Sequence, residues 1–261
     1  MSLPALLIAL VIFAGPAAGA ETLRLGYTNA QGAKIPVFVG RDRGVFEKYG
    51  LELRLLRVSP GRLAVPQLLS GAIEFFLGNS GPVVEAIALE SAPLAIIASL
   101  GKEQFAVYAG PAIRRVDDLK GKKFGVSTPG ASQDRIAARA LKRMGLEPER
   151  DIRIVATGFN NSVDRLRALA RGEVDAVAAT ADDLLQLSAE ESAGVRKLID
   201  LAEVGILVSG ADITVARGTI EARRATVEKF LQAVDESVRL AKDRPDLVAA
   251  AYKKYAGVED P

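Results

Sequence analysis

Two stretches of this chain repeat one another in the order and spacing of their parts. The first opens with the β-like run Leu23-Arg24-Leu25-Gly26-Tyr27 and a helix from about Ile35 to Tyr49, closed by Gly50. It continues with strand Leu53-Arg54-Leu55-Leu56, a helix from Leu63 to Ser70, Gly71, and strand Ile73-Glu74-Phe75-Phe76-Leu77. The second runs from strand Lys123-Phe124-Gly125-Val126 to a helix from Ser132 to Met144, whose apolar positions Ile136, Ala140, Leu141 and Met144 recur at helical spacing. Gly145, strand Ile152-Arg153-Ile154-Val155, helix Val163 to Ala170, Gly172 and strand Val174-Asp175-Ala176-Val177-Ala178 complete it. Laid side by side, Tyr49-Gly50-Leu51-Glu52 answers Met144-Gly145-Leu146-Glu147, and Ser70-Gly71-Ala72-Ile73-Glu74 answers Arg171-Gly172-Glu173-Val174-Asp175. Glycine after a helix is ordinary punctuation, because it suits the left-handed position there. The matched order is not ordinary. It predicts an α/β fold of two equivalent βαβαβ lobes, each a mostly parallel sheet flanked by helices.

The lobes need connections. Phe105-Ala106-Val107-Tyr108-Ala109 followed by Gly110-Pro111 offers one crossing, and Gly205 to Gly210 offers a second. Ile213-Thr214-Val215-Ala216 then reads as a strand, followed by a long amphipathic helix through Val227, Phe230, Leu231, Val234 and Val238. The expected organisation is residues 21–109 plus 211–261 in lobe 1 and residues 110–210 in lobe 2, with two crossover strands as a hinge that permits closure. Residues 1–20 read as an export signal: an apolar run from Leu6 to Phe13, a Gly15-Pro16 break, and Ala18-Gly19-Ala20 for cleavage after Ala20. The run is too short to span a bilayer, which takes about 20 residues. With no cysteine after it, no lipid anchor is expected, and the mature protein is expected in a periplasm.

Composition excludes whole classes of chemistry. The 261 residues contain no cysteine and no histidine, so a disulfide, a thiolate nucleophile, a Cys/His zinc site and an imidazole base are all ruled out. The formal charge is only +2, and the basic residues are scattered, so no nucleic-acid partner is indicated. Gly125-Val126-Ser127-Thr128-Pro129-Gly130 is not a nucleophile elbow, and a serine triad would lack its histidine. The adjacent Asp182 and Asp183 suit the start of a helix better than acid–base work.

Several segments in this order resemble the ABC-importer substrate-binding proteins of the nitrate, sulfonate, taurine and thiamine-precursor type. They are Leu25-Gly26-Tyr27, Gly44-Val45-Phe46-Glu47-Lys48-Tyr49-Gly50-Leu51, Leu69-Ser70-Gly71-Ala72-Ile73-Glu74, Asp118-Leu119-Lys120-Gly121-Lys122-Lys123, Arg171-Gly172-Glu173-Val174-Asp175-Ala176 and Lys229-Phe230-Leu231-Gln232-Ala233. The resemblance implies the two-lobed periplasmic-binding-protein fold (type II) with the ligand between the lobes. It further implies an ABC permease and its ATPase as partners; the paired βαβαβ units with two crossings and the lack of His and Cys point to a monomer with no cofactor, no metal and no catalysis. A receptor that passes its closed form to a membrane sensor is the alternative, and a cofactor-free enzyme on the same fold a more distant one.

Parallel α/β sheets bind ligands beyond the carboxyl ends of their strands. Four loops fall there, all small and neutral polar in character, which suits a polar ligand wrapped without a fixed counter-charge; the resemblance implies a small, oxyanion-bearing nitrogen or sulfur compound. They supply Asn29 and Gln31, Asn79 and Ser80, Ser127, Thr128 and Ser132, and Thr180 as candidate ligand contacts; Lys34 is the basic residue nearest to them. Each is also an ordinary cap or turn residue. Ser127, Thr128 and Ser132 are the sharpest set, because a helix N-terminus presents unpaired N–H groups that favour an anion without a lysine. If they hold ligand, Thr128→Ala and Ser132→Ala should each weaken affinity by about 1 to 3 kcal/mol in calorimetric titration. A pure capping role would instead lower melting stability by about 1 kcal/mol with affinity retained.

Overall fold

The computed structural model describes residues 19–59, 61–127, 132–159 and 161–257. Residues 1–18 of the expected export signal lie outside them, as does Thr128; Ser132 is placed on its helix, but its side chain is outside the description.

The first half runs β1 (Glu21–Tyr27), α1 (Ile35–Asp42), α2 (Val45–Lys48), β2 (Leu51–Arg57), α3 (Ala64–Leu69), β3 (Phe75–Gly78), α4 (Gly81–Glu90) and β4 (Leu94–Ser99). After the short β5 (Lys102–Glu103), the second half runs β6 (Phe105–Ala109), β7 (Lys123–Val126), α5 (Ser132–Arg143), β8 (Arg153–Ala156), α6 (Ser162–Ala170), β9 (Ala176–Thr180), α7 (Ala181–Leu184), α8 (Ala189–Ala193) and β10 (Arg196–Asp200). The chain returns through β11 (Val208–Ser209) to β12 (Asp212–Ala216), α9 (Arg217–Ala222), α10 (Arg224–Asp243) and α11 (Pro245–Ala251), and Tyr252–Ala256 forms a wide helical turn.

Two five-stranded sheets result, ordered β2-β1-β3-β12-β4 and β10-β6-β9-β7-β8. Read from its other edge, the second is β8-β7-β9-β6-β10, and the pairing matches the first strand for strand. In each, the first three strands are parallel, and the last two join antiparallel. The repeat legible in the sequence is therefore a repeat of topology. One boundary moves. Phe105–Ala109, expected at the end of lobe 1, lies inside the second sheet, because β6 pairs with β9 along its whole length. The crossing comes earlier, at β5, which pairs antiparallel with β11.

Helices cover both faces of each sheet, so the strands read as apolar runs. Leu23, Leu25 and Phe75 of the first sheet pack with Phe38, Phe46 and Phe230, and the Phe75 and Phe230 rings stack with centroids 4.1 Å apart. Val58, Ile73, Phe76 and Leu94 bury the opposite face under α3 and α4. The second sheet is clothed likewise by two clusters, one around Phe124 and Leu141, the other around Leu166 and Val177. The long amphipathic helix expected after Ala216 is α10, which buries Val227, Phe230, Ala233, Val234 and Ser237. The helix expected from Ile35 to Tyr49 is broken in two: Gly44 sits at φ 69°, and α2 restarts from it.

The crossing of α1 over α10 depends on a missing side chain. A β-carbon at Gly40 would run into Ser237, whose buried hydroxyl donates to Ala233 O at 2.6 Å. Gly40→Ala is expected to lower unfolding stability by about 1 to 3 kcal/mol, the usual cost of overpacking. Gly218→Ala on exposed α9, where a β-carbon meets nothing, should leave the urea midpoint unchanged or slightly raised.

Candidate functional site

A cavity of about 1240 Å³ is walled by both lobes. It lies where the parallel strands of the two sheets end, and the loop after each of those six strands contributes to it. Asn29 and Gln31 follow β1, and Asn79 follows β3; Ser127 follows β7, and Thr180 ends β9. These are five of the residues expected from the sequence. Two others turn away from the wall. Lys34 is buried, not solvated, and its ammonium is paired with Glu103 on β5. Ser80 is buried with its hydroxyl 3.4 Å from that of Ser209. Both are drawn off by the crossover strands, whose polar groups had no place in a reading confined to the loops.

The loops after β2 and β8 complete the wall with residues the sequence reading passed over. Arg57, Ser59 and Arg62 come from the first, and Asn161, Ser162, Asp164 and Arg167 from the second. The signal for them was present, since they follow the middle strand of each repeat just as the expected loops follow the outer two. Glu103 and Gln104 from the crossing and Tyr255 near the C-terminal end also face the cavity, and no local motif marks them.

Several expected ligand contacts already hold the protein together. Asn79 donates through Nδ2 to Ser209 O and accepts from Gly81 N–H at 2.8 Å, which fixes the loop after β3 to the crossover. Thr180 caps α7: its hydroxyl donates to Asp183 Oδ2 at 2.8 Å and accepts from Asp183 N–H at 3.2 Å. Asn29 donates its amide to Gln31. Pre-set side chains of this kind lose little freedom when a ligand arrives.

Charges on the wall are strongly biased by burial. Desolvation pushes the Glu103 carboxyl up, against the pull of Lys34, and pushes Asp183 up against the two hydrogen bonds from Thr180. Behind the start of α6, the Arg165 guanidinium is buried, donating to Phe159 O at 3.0 Å and to Ser162 Oγ at 2.8 Å; desolvation lowers its pKa to about 10. Every carboxylate on the wall is engaged: Glu85 with Arg135 at 2.7 Å, Asp164 with Arg167 at 3.1 Å, Asp182 with Tyr252, Asp183 with Thr180, and Glu103 with Lys34. Among the described residues, no group of three or more His, Cys, Asp or Glu is placed to hold a metal ion.

The sequence matches the NMT1/THI5 like family over residues 31–247, which takes in most of the cavity loops of both lobes and ends within α11. The chain belongs to the NMT1/THI5-like family. In structure this NMT1/THI5-like chain is similar to the periplasmic aliphatic sulphonate binding protein SsuA from Escherichia coli, with 24% identity, a TM-score of 0.74, and coverage of 91% of this chain and 79% of that one. It is also similar to the desulfurization enzyme DszB, with 18% identity, a TM-score of 0.67, and coverage of 91% and 81%. The two-lobed binding-protein fold is thus established, and the same fold serves a binder and an enzyme. A candidate binding protein of Brucella abortus (strain 2308) is 28% identical over 156 residues, 59% of this chain. The chain spans just under half, 46%, of that curated relative's length.

Contacts among the described residues bridge the lobes across the cavity, and two of them are specific. The Tyr252 hydroxyl accepts from Gly32 N–H at 2.8 Å and donates to Asp182 at 2.8 Å, so the C-terminal turn and α7 are tied through one oxygen. Burial and the Asp182 carboxylate both push the Tyr252 hydroxyl far above the usual phenol value, so it remains a donor. Arg135 of α5 meets Glu85 of α4 in the second bridge. Tyr252→Phe removes the first and leaves Asp182 and Gly32 N–H without their partner. We expect a larger radius of gyration by small-angle scattering and an unfolding free energy lower by about 1 to 3 kcal/mol in urea. An unchanged scattering profile would mean that this bond does not hold the lobes together.

Proposed function

We propose that the protein is an extracytoplasmic solute-binding protein that captures a small polar, oxyanion-bearing nitrogen or sulfur compound and delivers it to an ABC importer. The observation that carries this reading is the placement of the cavity. It is walled by both lobes, at the carboxyl ends of the parallel strands of both sheets, so a ligand there touches both at once. A ligand with more contacts in the closed form than in the open one shifts the equilibrium toward closure.

The crossover supports such a motion. The ribbon of β5 and β11 is only two residues long on each side, and it is the antiparallel link between two independently packed sheets. Rotation about a short ribbon changes a few dihedrals and leaves both cores intact. In the closed form the hydroxyl of Ser127, the amides of Asn29 and Gln31, and the N-terminal turn of α6 would surround the ligand. Buried Arg165 behind that turn adds positive charge where an oxyanion would lie. The likeness to a sulphonate-binding protein agrees with this choice of ligand.

Binding without turnover follows from what the wall offers. Ser127 has no imidazole to activate it, because the chain has no histidine, and the carboxylates are committed to internal bonds. A thermal-shift screen of nitrate, alkanesulfonates, taurine and pyrimidines tests the reading. At least one oxyanion should raise the melting temperature and, at saturation, reduce the radius of gyration, with the ligand recovered unchanged by NMR. A preference for a neutral pyrimidine, or stabilisation without compaction, would overturn it.

A further inference from the structure

The charges facing the cavity are balanced in number and unbalanced in use. All five carboxylates on the wall are held by other groups of the protein, and Arg135 and Arg167 are taken up in those pairs. Arg57, Arg62 and Lys102 are different: among the described residues, no side-chain hydrogen bond or ion pair engages any of them. The free charge on the wall is therefore positive, and two of the three cations lie on one short loop. Arg57 ends β2, and Arg62 lies in the turn that leads to α3, with Ser59 and Gly61 also facing the cavity. Guanidinium groups unclaimed by the protein retain their planar, forked donors for an incoming carboxylate, sulfonate or phosphate.

This loop belongs to lobe 1. The oxyanion position argued above lies against lobe 2, at Ser127 and the start of α6. The cavity of about 1240 Å³ reaches from the one position to the other, since Arg57 and Arg62 wall it from lobe 1 and Ser127 and Asn161 from lobe 2. Resting on the oxyanion reading, we propose that Arg57 and Arg62 form a second anion subsite, and that the ligand is a dianion carrying an anionic group at each end. Its two charges would then be divided between the lobes. Closure brings the two subsites to the spacing of one molecule, so the loop selects for length as well as charge.

Paired probes separate this from general attraction of anions. Calorimetric titrations would compare ethanesulfonate, propanesulfonate and butanesulfonate with ethane-1,2-disulfonate, propane-1,3-disulfonate and butane-1,4-disulfonate. At one chain length the disulfonate should bind about tenfold tighter or more than its monosulfonate, as expected for an added charge-assisted pair. In the double variant Arg57→Gln/Arg62→Gln, that ratio should fall to about one. Both arginines are exposed, so the variant should fold, which its melting temperature checks. Ratios near one in the native protein at every length would overturn the subsite while leaving the oxyanion reading in place. A ratio that persists in the variant would overturn it too, as would stopped-flow data in which the variant slows association of both probe types equally with the ratio kept. Failure of every sulfonate to bind would remove the oxyanion reading and the subsite together.

Discussion

Each sheet is completed by strands that run against the direction of its repeat. In the second sheet β6 enters straight from the crossing and pairs with β9. In the first, β12 returns from the second half and wedges between β3 and β4. The second lobe is thus inserted within the first, and two connections join them. This exchange also brings the two connections side by side, where β5 and β11 pair, and it places all six parallel-strand ends around one cavity.

The crossover is then fixed to the first lobe by a charge pair whose lysine is buried. Lys34 is 1% exposed, and its ammonium meets Glu103 on β5. On the other connection, Gly210 packs so closely against Glu103 that a β-carbon there would run into it. Removing one partner of a buried pair costs more than the pair is worth, because the remaining charge is stranded in low dielectric. The arrangement therefore acts less as a source of stability than as a fixed point. It holds the Glu103 carboxylate of β5 against lobe 1. The raised Glu103 carboxyl is the electrostatic mark of that position.

Much of the fold was legible because its cause is local. The glycines at positions 50, 71, 145 and 172 all take positive φ, and each falls at the helix end that the repeat predicts. The apolar spacing of α10 reads directly as the face that buries Phe230. Less legible were α4, whose apolar residues fall all around its axis and give no period, and β6, whose sheet is chosen by a partner far along the chain. The site divides in the same way. Asn29, Gln31, Asn79, Ser127 and Thr180 lie on the wall because strand ends set their place. Lys34 and Ser80 were misread since their partners, Glu103 and Ser209, are supplied by the crossing, 69 and 129 residues away in sequence. Tyr252, which ties the lobes through Gly32 and Asp182, carries no local sign of that task.

The order in which the strands occur along the chain has a consequence for how the molecule assembles. The second sheet is built from one unbroken stretch, β6 to β10, and all its pairings are available as soon as that stretch exists. The first sheet is not. Its β4 pairs only with β12, so that edge has nothing to join until residues beyond 211 have emerged, and the helix that covers Phe75 comes later still. During synthesis from the N-terminal end, the half made first must wait with an open sheet and an uncovered apolar face while the half made second can already close. Exposed sheet edges are where chains aggregate, and the interval before β12 arrives is the period in which this chain most needs protection.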